Sequence, residues 1–172
     1  PTATATATPS PTPTPVVISG DHFSLIAPAA WRQDGAPQGQ DQVAGFSLVG
    51  ASLSATLYAE KGGRFSYYNT EVAARAIQDS RFSRGTGRTL APATIGTLSG
   101  YEMDSRRADA PETADYAFVT FAGRDMIYIY VWGSAAALEG NRAAVRQLLG
   151  GLTVQPPAPP PPVDREHQQS FV

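Results

Sequence analysis

Cysteine is absent from this 172-residue chain, which excludes disulfides, thiolate metal sites and cysteine nucleophiles. Histidine is scarce: His22 opens the first apolar run, His167 lies near the C-terminus, and neither context gives a reason to bring them together. A transition-metal site needs clustered His, Cys or carboxylates, and a serine or threonine nucleophile would have only His22 as an imidazole base. No G-x-S-x-G elbow is present. Lys61 is the only lysine, against twelve arginines. Those arginines are scattered and the formal net charge is −2, so no basic patch for nucleic acid emerges. No apolar run reaches the 18 residues a membrane helix needs. No catalytic, cofactor or metal residue is assigned on these grounds.

Proline is plentiful, and its placement divides the chain. Of 15 prolines, five fall in Pro1–Pro15 and six in Pro156–Pro162. The opening PTATATATPSPTPTP is low-complexity Thr/Ala/Pro that favours an extended, polyproline-like spacer over a packed core. The expected organisation is a Thr/Pro stalk or linker over 1–15, one α+β domain over 16–155, and a Pro-rich tail over 156–172, both tails disordered. The tail's PPAPPPP run reads either as a ligand for a groove that recognises proline-rich peptides or as an exposed linker. A chain that starts at Pro1 is expected to be processed or truncated, with any anchor upstream.

Between the tails the strongest signal is Asp115–Gly133, DYAFVTFAGRDMIYIYVWG. Two β-branched and aromatic runs flank Ala122-Gly123-Arg124-Asp125, the pattern of a hairpin. The second alternates strictly, with Met126, Tyr128, Tyr130 and Trp132 on one side and Ile127, Ile129 and Val131 on the other. Both sides are apolar, so this strand is expected at the centre of its sheet with cover on both faces. Earlier strands are read over His22–Ile26, Val43–Val49 and Leu53–Ala59, with Trp31 as a core plug after Pro28 and a loop over residues 32–42. A helix is expected from an N-cap at Asn69 or Thr70 to Ser80, with Val72, Ala73, Ala76 and Ile77 inward. A strand pair over Thr89–Leu98 and Tyr101–Arg107 turns at Ser99-Gly100, after a loop at Arg84–Arg88. A closing helix over Ala135–Leu149, ended by Gly150-Gly151, precedes a short strand at Leu152–Val154. Tight turns between strands and two amphipathic helices imply an antiparallel sheet flanked by helices.

Site chemistry is thin. On a strand, Glu102, Asp104 and Arg106 share one face, and a carboxylate pair two residues apart has the makings of a cation or small-ligand contact, or of an acid and a base. The alternative is a solvated edge-strand face with an internal ion pair. Asp109, Glu112 and Asp115 follow closely but lack the spacing of a calcium loop. The aromatic row Tyr128, Tyr130 and Trp132, with Tyr116 and Phe118 from the partner strand, reads either as a recognition surface or as sheet packing, and packing accounts for it without further chemistry. Partner contact is then expected on the loops, at Arg32, Asp34, Asp109 and Glu112.

The order HFSLIAPAAW, TLSGYEMDSRRA, the hairpin DYAFVTFAGRDMIYIYVWG and VRQLLGGLTV resembles the PsbP-like superfamily. That group includes the photosystem II extrinsic protein and small bacterial lipoproteins of the DcrB type. The resemblance covers about Asp21 to Val154. It implies an α/β/α sandwich, exported and often membrane-tethered, that serves as an accessory or binding module. Its motifs are structural, so no functional residue is carried over, and the metal-site histidines of some plant members have no counterpart here. The expected function is a non-enzymatic extracytoplasmic domain on a Pro/Thr stalk, binding a protein or cell-envelope component and tethered only through an upstream anchor. The alternative is a small-molecule or ion-sensing extracellular domain of a longer membrane-anchored regulatory protein.

Overall fold

The alternating run that starts at Met126 forms a strand, and it is the middle one of seven. The computed structural model describes residues 14–62, 70–82, 85–107 and 109–155. The elements run β1 (Val16–Ser19), β2 (Phe23–Ala27), β3 (Trp31–Gln33), β4 (Gln42–Leu48), β5 (Leu53–Glu60), α1 (Thr70–Arg81) and β6 (Gly85–Ile95). They continue with β7 (Leu98–Arg107), β8 (Thr113–Ala122), β9 (Asp125–Ser134), α2 (Ala135–Gly140), α3 (Arg142–Gly150) and β10 (Leu152–Val154). The large sheet has the order β3-β4-β5-β9-β8-β7-β6, and β1-β2-β10 form a separate three-stranded sheet. Every pairing is antiparallel. Among the described residues no helix is long and apolar enough to cross a membrane.

The two apolar sides of β9 each feed a core. Ile127, Ile129 and Val131 pack with Phe23, Leu25, Phe46, Leu57, Val145 and Leu148. Met126 and Tyr128 pack on the opposite face with Ala73, Ile77 and Phe82. The large sheet is therefore covered by α1 on one side and by α2, α3 and the small sheet on the other, an α+β sandwich. Each fully buried large side chain contributes roughly 1.5–3 kcal/mol of transfer free energy, which is why β9 holds the layers together.

Several local expectations shift. Trp31 is a core plug, 1% exposed, but it also begins a strand, so the loop expected over 32–42 starts only at Asp34. In α1 the buried positions are Ala73, Ala74, Ile77 and Gln78 rather than Val72 and Ala76. Gln78 replaces an apolar side chain there because its amide donates to the Thr89 carbonyl at 2.6 Å. Residues 85–88 are not a loop but the start of β6, where the register slips between Thr86 and Thr89 and Gly87 takes φ = 60°. Gly100 is not a turn glycine. A Cβ there would lie 2.1 Å from the Val119 carbonyl oxygen, so the glycine permits close strand approach, and the turn falls at Gly96 (φ = 60°) instead. The closing helix is two helices, because Asn141 leaves helical geometry at φ = −122°, ψ = 20°. The small sheet's β1 had no counterpart in the sequence pattern. The segment 1–13, Gly63, Asn69, Arg84, Ala108 and the tail from Pro156, with His167, lie outside the described residues.

Candidate functional site

The alternation of β7 turns Glu102, Asp104 and Arg106 to the α3 side of the large sheet, opposite Phe118, Tyr116 and Ala114 of β8. Two residues of strand rise span about 7 Å, and four residues of helix about 6 Å. Arg146 and Arg142, one turn apart on α3, match that spacing. Arg146 donates to Glu102 at 2.7 Å and Arg142 to Asp104 at 2.9 Å. The Tyr116 hydroxyl donates to Glu102 at 2.9 Å, and the Arg142 guanidinium lies 5.6 Å from the Tyr116 ring centroid. Burial, reinforced by the Glu102 carboxylate, pushes the Tyr116 phenol well above its ordinary range, so it stays a proton donor. The carboxylates are thus ion-paired, but to helix arginines and not to Arg106. Nor is β7 an edge strand, since β6 lies outside it. The sequence missed the two arginines. Their i, i+4 spacing beside an acid pair was the available signal.

Arg106 stands apart. Its backbone carbonyl accepts from the Thr86 hydroxyl at 3.3 Å, and its guanidinium forms no ion pair among the described residues. Asp104, Arg106, Glu139 and Arg142 line a cavity of about 450 Å³ whose apolar floor is Ala114, Ala135 and Leu138. Glu102 is not part of its wall. Among the described residues no group of three or more His, Cys, Asp or Glu is placed to hold a metal ion.

The four loop candidates do not form one loop surface. Arg32 lies in β3 opposite Ser47. Asp34 opens the loop that follows β3, its N–H donating to the Gly45 carbonyl and its carboxylate accepting from the Ser47 hydroxyl at 2.9 Å. Asp109 pairs with Arg107 at 2.8 Å, and the Glu112 carbonyl accepts the Ala135 N–H that opens α2. The strand registers place residues 35–41 at one end of the large sheet and residues 109–112 at the other. The row Arg32–Ser47–Ser54–Trp132–Asp115 crosses the sheet near the second end. Val49, in the β4–β5 turn, lies at that end too, 67% exposed.

The aromatic row is real but smaller than expected. The hairpin sets Tyr116 opposite Val131 and Phe118 opposite Ile129, so both belong to the other face. Tyr130 and Trp132 stack with centroids 5.3 Å apart, and the Tyr130 hydroxyl donates to Asp115 at 2.7 Å. Trp132 remains 38% exposed.

No protein-family model matches the chain, and no curated protein sequence does either. Solved structures do match. Cyanobacterial PsbP (CyanoP) from Synechocystis sp. PCC 6803 superposes with a TM-score of 0.58 at 11% identity, over 87% of this chain and 98% of that one. The chain has the PsbP-like fold. LpqN of Mycobacterium tuberculosis, described as involved in cell envelope biogenesis, matches at TM-score 0.51 and 13% identity, over 83% and 90% of the two chains. The Saccharomyces cerevisiae Ran-binding protein Mog1p matches at 0.52 and 11%, over 86% and 97%. At such identities the likeness is one of fold, and fold alone does not carry function. In this PsbP-like sheet the candidate residues divide between the α3 face, where the acids meet arginines, and the α1 face, which carries Trp132.

Proposed function

We propose that this chain is a non-enzymatic, extracytoplasmic accessory domain that binds a protein or cell-envelope partner, carried on its Thr/Pro segment 1–15 and tethered through an anchor upstream. The observation that carries this reading is Trp132. It is a half-exposed aromatic in a row with Arg32, Ser47 and Ser54, on the part of the sheet away from the strands α1 mainly covers, β6 and β7. Tryptophan and arginine are the residue types that dominate binding energy at protein interfaces. The neighbouring folds support the same class: one is a Ran-binding protein and another takes part in cell-envelope biogenesis. The acid pair supports this non-enzymatic reading, because Glu102 and Asp104 are both bonded to arginines and, of the two, Asp104 alone lines the cavity beside α3.

Asp34, Asp109 and Glu112 extend this surface as proposed contacts. The test is capture from envelope extracts with the full chain as bait, run beside Trp132→Ala and Arg32→Ala. Partner retention on the parent chain with at least about tenfold loss on Trp132→Ala is expected, the loss of one hot-spot aromatic. Equal retention on all three baits would defeat the assignment of this face.

A second reading, a small-molecule or ion sensor in a longer membrane-anchored protein, draws on the cavity beside Asp104 and Arg106. It predicts ligand-dependent stabilisation lost in Arg106→Ala, with Glu102→Gln unaffected.

A further inference from the structure

A second cavity, about 620 Å³, opens on the α1 face at the end of the sheet where β5 finishes, and Asp41, Tyr58, Glu60, Lys61 and Arg81 line it. We infer that it is a binding site for a free α-amino acid, whose carboxylate is taken by Arg81 and whose ammonium is taken by Glu60 and Asp41.

Arg81 is the anion-binding element. Arg75, Arg88, Arg107, Arg142 and Arg146 each hold a carboxylate. Arg81 is instead held by two tyrosines and makes no ion pair among the described residues. Its guanidinium stacks 4.6 Å from the Tyr58 ring centroid, and Tyr58 in turn stacks on Tyr128 at 4.7 Å and 10°. Among the described residues one of its five donors is used, on the Tyr128 hydroxyl at 2.9 Å. A planar guanidinium fixed by stacking, with its remaining donors free, is pre-organised for a bidentate carboxylate.

The acidic element stands beside it. The Tyr128 hydroxyl that accepts from Arg81 donates to Glu60 at 3.0 Å, so the fixed positive and negative groups share one hydroxyl oxygen. An α-amino acid carries its own two charges one carbon apart, which suits that close spacing. Lys61 is drawn off by Asp21 and does not compete for Glu60. Asp41 adds a second carboxylate and holds φ = 61°, the one non-glycine positive φ among the described residues. Such backbone strain costs of order 1 kcal/mol and gathers at ligand sites. Two carboxylates in the wall disfavour a phosphate or dicarboxylate, and the cavity has room for a side chain beyond the charged ends.

The test is isothermal titration of the full chain with a panel of free amino acids. The comparison ligands are the N-acetyl and carboxamide forms of each, and trialanine. At least one free amino acid is expected to bind with Kd below about 1 mM, with about tenfold or greater loss for either blocked form. Trialanine, whose charges are too far apart to reach both groups, is expected to bind no better than its N-acetyl form. Glu60→Gln should cut the preference for the free ammonium several-fold while leaving the N-acetyl form unchanged, and Arg81→Gln should abolish binding. Arg142→Gln, in the other cavity, should change nothing. Because Arg81 is packed against tyrosines, Glu60→Gln decides the matter if Arg81→Gln fails to fold. No binding by any free amino acid at about 10 mM, equal binding by the N-acetyl forms, or an unaltered preference in Glu60→Gln would overturn the inference.

Discussion

The indole Nε1 of Trp31 donates to the backbone carbonyl of Ala144 at 3.1 Å, so the first residue of an edge strand fastens α3 onto the sheet. Trp31→Ala removes both the ring and this bond. It is expected to cost about 3–5 kcal/mol, read as a lowered urea midpoint. Trp31→Phe keeps most of the packing and loses the hydrogen bond, and should cost about 1–2 kcal/mol. Equal losses in the two variants would show that the bond and the ring volume do not separate as argued.

The bridges between β7 and α3 are half exposed, with Arg142 at 41% and Asp104 at 37%. Solvent screens such pairs, so a double-mutant cycle of Arg142→Gln and Asp104→Asn should give a coupling below about 1 kcal/mol. That coupling should shrink as sodium chloride rises toward about 1 M. A salt-insensitive coupling would mean the pair behaves as a buried one.

Gly100 faces the Val119 carbonyl at a distance no Cβ tolerates. Gly100→Ala must push β7 and β8 apart and is expected to destabilise by about 2–3 kcal/mol. Gly35, where a Cβ would meet nothing within 4 Å, serves as control, and Gly35→Ala should stay within about 0.5 kcal/mol. Chemical denaturation of the two variants side by side checks this.

Tyr116, Tyr128 and Tyr130 all have phenols raised above the ordinary value of 10.0, each chiefly by burial. Glu102 adds to the rise at Tyr116, and the bond to Asp115 adds to it at Tyr130. Arg81 opposes it at Tyr128. Above pH 10 the unfolded chain releases protons that the folded chain keeps, so stability is full below that pH and falls as pH rises beyond it. The urea midpoint should therefore drop between about pH 10 and 12. Tyrosinate absorbance should show part of the seven tyrosines titrating only as the chain unfolds. Full titration of all tyrosines in a folded chain would contradict this.

What was legible in the sequence was whatever period alone determines. The β9 alternation announced a central strand because both its sides are apolar, and the Ala122–Asp125 turn announced its hairpin. Position across strands was not legible. Gly100 looked like a turn because a glycine needed by a neighbouring strand carries the same letter as one needed for φ. Tyr116 and Phe118 lie on the face opposite Tyr128, Tyr130 and Trp132, and sequence does not show this because one residue of register moves every side chain of a strand to the other face. The site suffered most from this. Glu102 and Asp104 were visible as a pair, yet their partners lie 38 and 44 residues away in sequence. Arg81 gave no hint of its role, since the tyrosines that hold it come from β5 and β9.

The small sheet has a mechanical consequence. β1 and β10 flank β2 and run parallel to each other, with Val16 opposite Ala27 and Val154 opposite Phe23. Tension applied through the flanking Pro-rich segments would draw β1 and β10 lengthwise in opposite directions along β2. The hydrogen bonds of both ladders would then be loaded together in shear and not opened one at a time. Such a clamp lets a domain bear pull at both ends before its core is exposed.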